Sequence, residues 1–238
     1  MTDPRPDDAE QAAIRDRLLD AALPHVAFDG WSPATVDAAI ADSGLDPALA
    51  RAAIPRGAVD LARAFHRRGD AAMAARLAGE DLSALRFRDR IAAAVRFRLE
   101  AVAGEKEAVR RGAALFALPP YAADGAALVW GTCDRIWTAL GDSSDDINWY
   151  TKRATLAAVY GATVLYWLGD TSEGHAATWA FLDRRIGDVM KIETAKARLR
   201  DAPLVQRFMD GPGRALSAVK APRRGPRTDL PGYLAPRR

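Results

Sequence analysis

Ser32-Pro33-Ala34-Thr35-Val36-Asp37-Ala38-Ala39-Ile40-Ala41-Asp42-Ser43-Gly44-Leu45-Asp46-Pro47-Ala48-Leu49-Ala50-Arg51-Ala52-Ala53-Ile54 is the stretch that decides the architecture. Ser32 before Pro33 pairs an N-cap side chain with the residue best suited to a first helical position. Val36 and Ile40, one turn apart, give that helix its apolar stripe, and Gly44 supplies a residue free to turn left-handed at its end. Asp46-Pro47 repeats the start signal for a short helix holding Leu49 and Ile54. Two short helices about a glycine have the spacing of a helix-turn-helix.

Outward from this segment the same 3.6-residue period continues and period-2 runs are absent, so the fold class is all-α. Ile14, Leu18, Ala22 and Val26 form the stripe of a preceding helix that ends near Asp29-Gly30, with a kink expected at Pro24. After Pro55-Arg56-Gly57 a longer helix carries Leu61, Phe65, Met73 and Leu77. Further helices are predicted over about 87–103, 105–117, 122–140, 145–168, 174–199 and 203–219. This divides the chain into a helix-turn-helix-like segment at 11–56, a helical body at 57–200, an amphipathic helix at 203–219 and a basic, Pro-rich, disordered tail at 221–238.

The 238 residues are 49% hydrophobic and 27% charged, enough for one sizeable core and too apolar for a disordered chain. A single cysteine, Cys133, excludes a disulfide framework and a Cys-based zinc site. No apolar run reaches the roughly 18–20 residues that span a bilayer, and the acidic, Pro-rich start is unlike a signal peptide. The expectation is a soluble cytoplasmic protein. Charge is unevenly placed: from Arg184 onward 14 Lys or Arg face 5 Asp or Glu, whereas the part before it is acidic. A basic end on an acidic body points to an anionic surface as a partner.

The search for catalytic groups returns nothing. His25, His66 and His175 are read as ordinary histidines without metal-ligand spacing or acidic partners, and no metal or cofactor is called for. Asp145-Asp146 is read as a helix cap rather than an acid/base dyad. Gly211-Pro212-Gly213 lacks the Lys-Ser/Thr continuation of a phosphate loop. The chain is expected not to be an enzyme.

With one helix before it and a helical body behind, the segment at 33–54 resembles the TetR-type regulators, and a ligand-responsive repressor is the alternative reading. A DNA reader needs donors on its second helix. Here that helix offers only Arg51 and starts at Asp46, with Asp37 and Asp42 on the helix before, so no nucleic-acid partner is expected. A ligand-free helical scaffold is a third reading.

The most distinctive run is Gly141-Asp-Ser-Ser-Asp-Asp-Ile-Asn-Trp-Tyr-Thr-Lys-Arg-Ala-Thr-Leu-Ala-Ala-Val-Tyr160. It resembles the lipid-binding accessory proteins of ubiquinone biosynthesis, which share the TetR-type fold without its DNA activity. The resemblance continues through Asp170-Thr-Ser and Thr178-Trp-Ala-Phe-Leu-Asp-Arg-Arg-Ile-Gly-Asp-Val-Met190, and extends back to Leu19-Asp-Ala-Ala-Leu23 and Gly30-Trp31. It implies an isoprenoid quinone intermediate or phospholipid as ligand. It also implies delivery to the di-iron demethoxyubiquinone hydroxylase, peripheral docking on the inner membrane, and pairing into a homodimer as TetR-type chains do.

Candidate residues follow. The helix from Ala154 to Trp167 is apolar nearly all round, as an interior helix is. Leu156, Tyr160 and Val164 on it, with Phe116, Leu128 and Trp137 on neighbouring helices, are the candidate lipid-binding set. Trp167, Asp170 and Trp179 bracket the turn Gly169–Gly174 and are the candidate hydroxylase surface, Trp179 expected exposed among small neighbours. Leu204, Val205, Phe208 and Met209 share one face of the C-terminal segment, flanked by Arg200, Arg207, Arg214 and Lys220, as membrane-surface helices do. Gly211-Pro212-Gly213 interrupts that segment.

Overall fold

The computed structural model describes residues 6–200 and 220–222, with side chains described within 9–191 and 220–222. The described residues form helices α1 (Pro6–Asp29), α2 (Pro33–Ser43), α3 (Pro47–Ala53), α4 (Ala58–Gly79), α5 (Phe87–Glu100), α6 (Lys106–Ala117), α7 (Ala122–Ala139), α8 (Ile147–Gly169) and α9 (Ala176–Arg200), with no strand among them. The segments at 201–219 and 223–238, which include the predicted membrane-docking residues Leu204, Val205, Phe208 and Met209, lie outside the described residues.

The local signals act as the residue types dictate. Ser32 Oγ accepts from the Thr35 amide at 3.3 Å. Gly44 takes φ +63° and ends α2, and Asp46 Oδ1 accepts from the amides of Ala48 and Leu49 at 2.9 and 3.0 Å. α1 continues through Pro24 to Asp29. Asp146 caps α8, its side chain accepting from the Asn148 amide, which is the role read for the Asp145-Asp146 pair.

One contiguous core runs through the whole assembly. Leu18, Leu19 and Val26 of α1, Leu61 and Met73 of α4, Leu99 of α5, Ile136 of α7 and Trp167 of α8 are at most 1% exposed within it. α1 packs against α2, α3, α4 and α6, and the Trp31 indole donates to the Ala108 carbonyl on α6 at 3.0 Å. The junction near residue 56 is therefore a turn and not a gap between cores. Among the described residues no single helix is long and apolar enough to cross a membrane.

α8 departs from the expectation of an all-round interior helix. Leu165 is 68% exposed and Tyr166 40%, while Leu156, Tyr160 and Trp167 are buried. Tyr166 stacks on Phe181 of α9 with ring centroids 4.5 Å apart.

Candidate functional site

Where α4, α5, α6, α7 and α8 converge they line a cavity of about 340 Å³, open to solvent on one side, with mostly apolar walls. That is near the lower end of the roughly 300–1,000 Å³ typical of small-molecule sites. Close helix approach shapes it: a Cβ on Gly125 of α7 would stand 2.8 Å from Phe116 Cβ on α6, so only glycine lets those helices approach this far.

Phe116, Leu128, Tyr160 and Val164, four of the six residues expected to bind lipid, line this cavity. Trp137 and Leu156 do not. They line a second cavity of about 270 Å³ with Phe87, Val159, Ile186 and Met190. The reason is rotation: Trp137 is nine residues beyond Leu128 on α7, two and a half turns, so it faces the other side of that helix. Its indole packs on Phe87, centroids 5.6 Å apart, and donates to the Lys152 carbonyl at 3.2 Å.

Sequence reasoning missed Trp31, Phe65, His66 and Arg98, which also line the larger cavity. Arg98 carries a readable signal, because it lies beside the apolar residues Val95 and Leu99 on one face of its own helix. It is 3% exposed. Its Nε donates to Asp70 Oδ1 at 2.7 Å and its Nη2 to the His66 carbonyl at 3.0 Å.

His66 corrects the reading of the histidines. It stands one turn from Asp70 on α4, the two side chains 3.7 Å apart, and His25 Nε2 lies 2.7 Å from Asp42 Oδ2; both have acidic partners. His66 Nε2 is 2.8 Å from Thr132 Oγ1, which is 2.9 Å from Asp70 Oδ1. Thr132 Oγ1 also lies 3.2 Å from the Leu128 carbonyl; with two acceptors that carry no proton beside it, the hydroxyl donates to one of them and the imidazole donates through Nε2. Burial pushes the His66 pKa down to about 4 against the pull of Asp70, and the ring is neutral at physiological pH. No group of three or more His, Cys, Asp or Glu among the described residues could hold a metal ion.

A larger, more polar cleft of about 620 Å³ lies between α1 and α4, with Arg15, Arg63, Arg67, Arg68 and Arg135 on its walls. On the helix-turn-helix-like segment, Arg51 of α3 forms an exposed ion pair with Asp37 of α2 at 3.1 Å.

The residues expected to meet a partner divide. Trp167 is fully buried, its indole 5.1 Å beneath Lys106 Nζ and edge-on to His175; it belongs to the core, because it sits seven residues after Tyr160 on the inward stripe of α8. Asp170 is 8% exposed and acts as a clamp between α8 and α9. Its carboxylate accepts from the Thr178 hydroxyl and amide and from the Ser172 amide, which together hold it well below the usual carboxylate range. Trp179 is half-buried rather than fully exposed: its Nε1 donates to the Gly174 carbonyl at 2.8 Å and Arg96 lies 5.0 Å over its ring.

Residues 122–193, from α7 to the middle of α9, match the family described as COQ9. The chain is 36% identical over 194 residues to "Ubiquinone biosynthesis protein COQ9, mitochondrial" of Drosophila melanogaster, covering 79% of this chain and 59% of that protein. It is 27% identical over 184 residues to "Probable ubiquinone biosynthesis protein coq9, mitochondrial" of Dictyostelium discoideum, covering 75% and 60%. With "Ubiquinone biosynthesis protein COQ9, mitochondrial" of Homo sapiens it shares 39% over 87 residues, covering 36% and 27%. The chain thus spans about three-fifths of the length of the first two relatives. In fold it is similar to a TetR transcriptional regulator from Nitrosomonas europaea, with a TM-score of 0.60 and 21% identity, covering 74% of this chain and 97% of that one.

Proposed function

Because residues 122–193 match the COQ9 family and the chain is similar to COQ9 proteins of ubiquinone biosynthesis, we propose that it is a lipid-binding accessory protein of that pathway. It takes an isoprenoid quinone intermediate into the cavity bounded by α8 and delivers it to the demethoxyubiquinone hydroxylase at a membrane surface. The observation that carries this reading is the cavity itself. It is apolar, its α7 and α8 walls fall within the matched residues 122–193, and its rim includes Leu165, 68% exposed.

The physical contribution is desolvation. Apolar surface transferred from water to such walls is stabilised by about 25 cal/mol per Å², which favours holding a water-insoluble molecule between membrane and partner. The sequence supports membrane docking through Leu204, Val205, Phe208 and Met209, with basic residues on either side. The α8–α9 turn, with Trp179 beside it, is the proposed hydroxylase surface. The TetR likeness concerns the fold; α3 carries Arg51 as its one basic residue, beside Asp37 and behind the Asp46 cap, so that helix has little to offer a phosphate backbone.

Organic extraction of protein purified from cells, followed by mass spectrometry, tests the reading. Isoprenoid quinones should be recovered above the level of a helical control protein. They should be lost from Val164→Trp, whose indole fills the cavity. Equal recovery from control and wild type overturns the proposal.

A further inference from the structure

The polar cleft between α1 and α4 gathers positive charge that the described residues do not match. Its walls carry Arg15, Arg63, Arg67, Arg68 and Arg135 against Asp16 and Asp60, in a part of the chain where acids outnumber bases. Arg68 has its partner in Asp20. Three others are under-matched. Arg67 is exposed and makes no ion pair or side-chain hydrogen bond with a described residue. Arg63 reaches Asp60 and Asp124 at 3.7 Å each, and Asp124 is already held by both Nη atoms of Arg56 at 3.0 and 2.7 Å. Arg135 stops 4.0 Å from Asp70 Oδ2, on a carboxylate whose other oxygen accepts from Arg98 at 2.7 Å. These same three arginines line a smaller hollow of about 190 Å³ between α4 and α7, so cleft and hollow adjoin as one trough across α4. We propose that this trough is a second ligand site, one that takes a phosphate or diphosphate group. It does not rest on the role given to the apolar cavity, which meets α4 at Ala62, Phe65 and His66 instead.

Charge and geometry select that chemistry. Arg63 and Arg67 stand one turn apart on α4, a like-charge spacing that costs stability, and a bound anion supplies the counter-charge. The guanidinium fork matches carboxylate and phosphate alike, but here the donors come from three helices: Arg15 from α1, Arg63 and Arg67 from α4, and Arg135 from α7. A carboxylate offers two oxygens in one plane. Phosphate sets its oxygens around a tetrahedron, and diphosphate joins two such sets, so that several guanidinia can donate at once. Arg15 is oriented for this by its Nε, which donates to the Ala53 carbonyl at 2.9 Å. Of the two wall carboxylates, Asp60 already accepts from the Arg56 amide at 2.9 Å, which leaves positive charge in excess. The cleft, about 620 Å³, has room for a diphosphate and the group it is esterified to.

Calorimetric titration of the full chain with inorganic diphosphate at low ionic strength, where screening is least, tests the site. Arg67→Gln should weaken binding at least about fivefold, as for a hydrogen bond lost to a charged group. Without diphosphate the same variant should melt no lower than wild type, which would not hold for an arginine with a structural role. Arg17→Gln, on α1 but outside the trough, should bind as wild type does. A second arm, flotation on phosphatidylcholine vesicles with and without phosphatidic acid, identifies the source of the group. Loss of the phosphatidic-acid dependence in Arg67→Gln assigns the site to a lipid headgroup; unchanged flotation beside weakened diphosphate binding assigns it to a soluble phosphate ester. The proposal is overturned if neither diphosphate binding nor flotation depends on Arg67, or if Arg17→Gln loses as much as Arg67→Gln.

Discussion

Arg153 Nη1 donates to Asp142 Oδ2 at 3.0 Å with both side chains withdrawn from water, 0% and 2% exposed. The same carboxylate accepts from Lys152 Nζ and the Ser144 hydroxyl, each at 2.8 Å. Arg153 reaches on to Asp134 at 2.6 Å and lies 4.0 Å over the Trp149 ring. This cluster closes the loop that joins α7 to α8, in the run Gly141–Tyr160 that carries the sequence resemblance.

Acid should therefore loosen that junction. Burial alone would raise the Asp142 pKa, but hydrogen bonds from Lys152, Ser144 and Arg153 outweigh it and hold the group down at about 2. A depressed carboxylate contributes stability that is present above its unfolded value near 4 and is lost as pH falls toward 2. Melting temperatures of wild type and Asp142→Asn measured from pH 7 to pH 2 should differ most at neutral pH and converge in acid. A constant gap counts against the assignment.

His66 should give a second acid-linked loss at higher pH. Its folded pKa of about 4 lies below the ordinary 6.5 because burial disfavours the charged ring. Protons then favour the unfolded chain, so the stability linked to this group is complete above pH 6.5 and falls by about 3 kcal/mol on the way to pH 4. His66→Gln keeps a donor toward Thr132 without a titrating ring. Denaturant unfolding of that variant should show a flatter pH dependence between 6.5 and 4 than wild type.

How much of this was legible follows from the range of each interaction. Caps at Ser32 and Asp46, the left-handed Gly44 and the Asp146 start of α8 depend on residues within four positions, so sequence alone locates them. Cavity membership does not work that way. Trp137 and Leu156 are as apolar as Phe116 and Tyr160, and which cavity each faces depends on how α7 and α8 are rotated against helices distant in the chain. The buried Arg98 was readable as a charge beside apolar residues on one helix face. Its purpose was not, because Asp70, His66 and Thr132 come from two other helices. Closeness to a turn makes Trp167 a candidate for a partner surface as much as for the core, and its position on the inward stripe of α8 decides for the core.

Gly125 gives a test of cavity shape independent of ligand chemistry. A methyl group there would meet Phe116 Cβ at 2.8 Å, a contact at the root of the side chain that no rotamer relieves. Gly125→Ala should push α6 from α7, cost about 1–3 kcal/mol by overpacking and displace Phe116 at the cavity wall. Lower lipid recovery from a variant still folded by circular dichroism is the expected result.

The paired tryptophans at the α8–α9 turn separate a partner surface from core. Trp179 is half-buried, tethered by Nε1 to the Gly174 carbonyl and covered on one face by Arg96 at 5.0 Å. Trp167, three residues before Asp170, is wholly enclosed. If the turn meets the hydroxylase, Trp179→Ala removes an interface anchor, for which about 2 kcal/mol, or roughly 30-fold in affinity, is the usual scale. Its melting temperature should change little. Trp167→Ala instead opens a core cavity and should cost about 3–5 kcal/mol of stability, with undiminished affinity in whatever fraction stays folded. Titration of purified hydroxylase against each variant, alongside thermal melts, reads both quantities. Full-strength binding by Trp179→Ala would move the partner surface away from this turn.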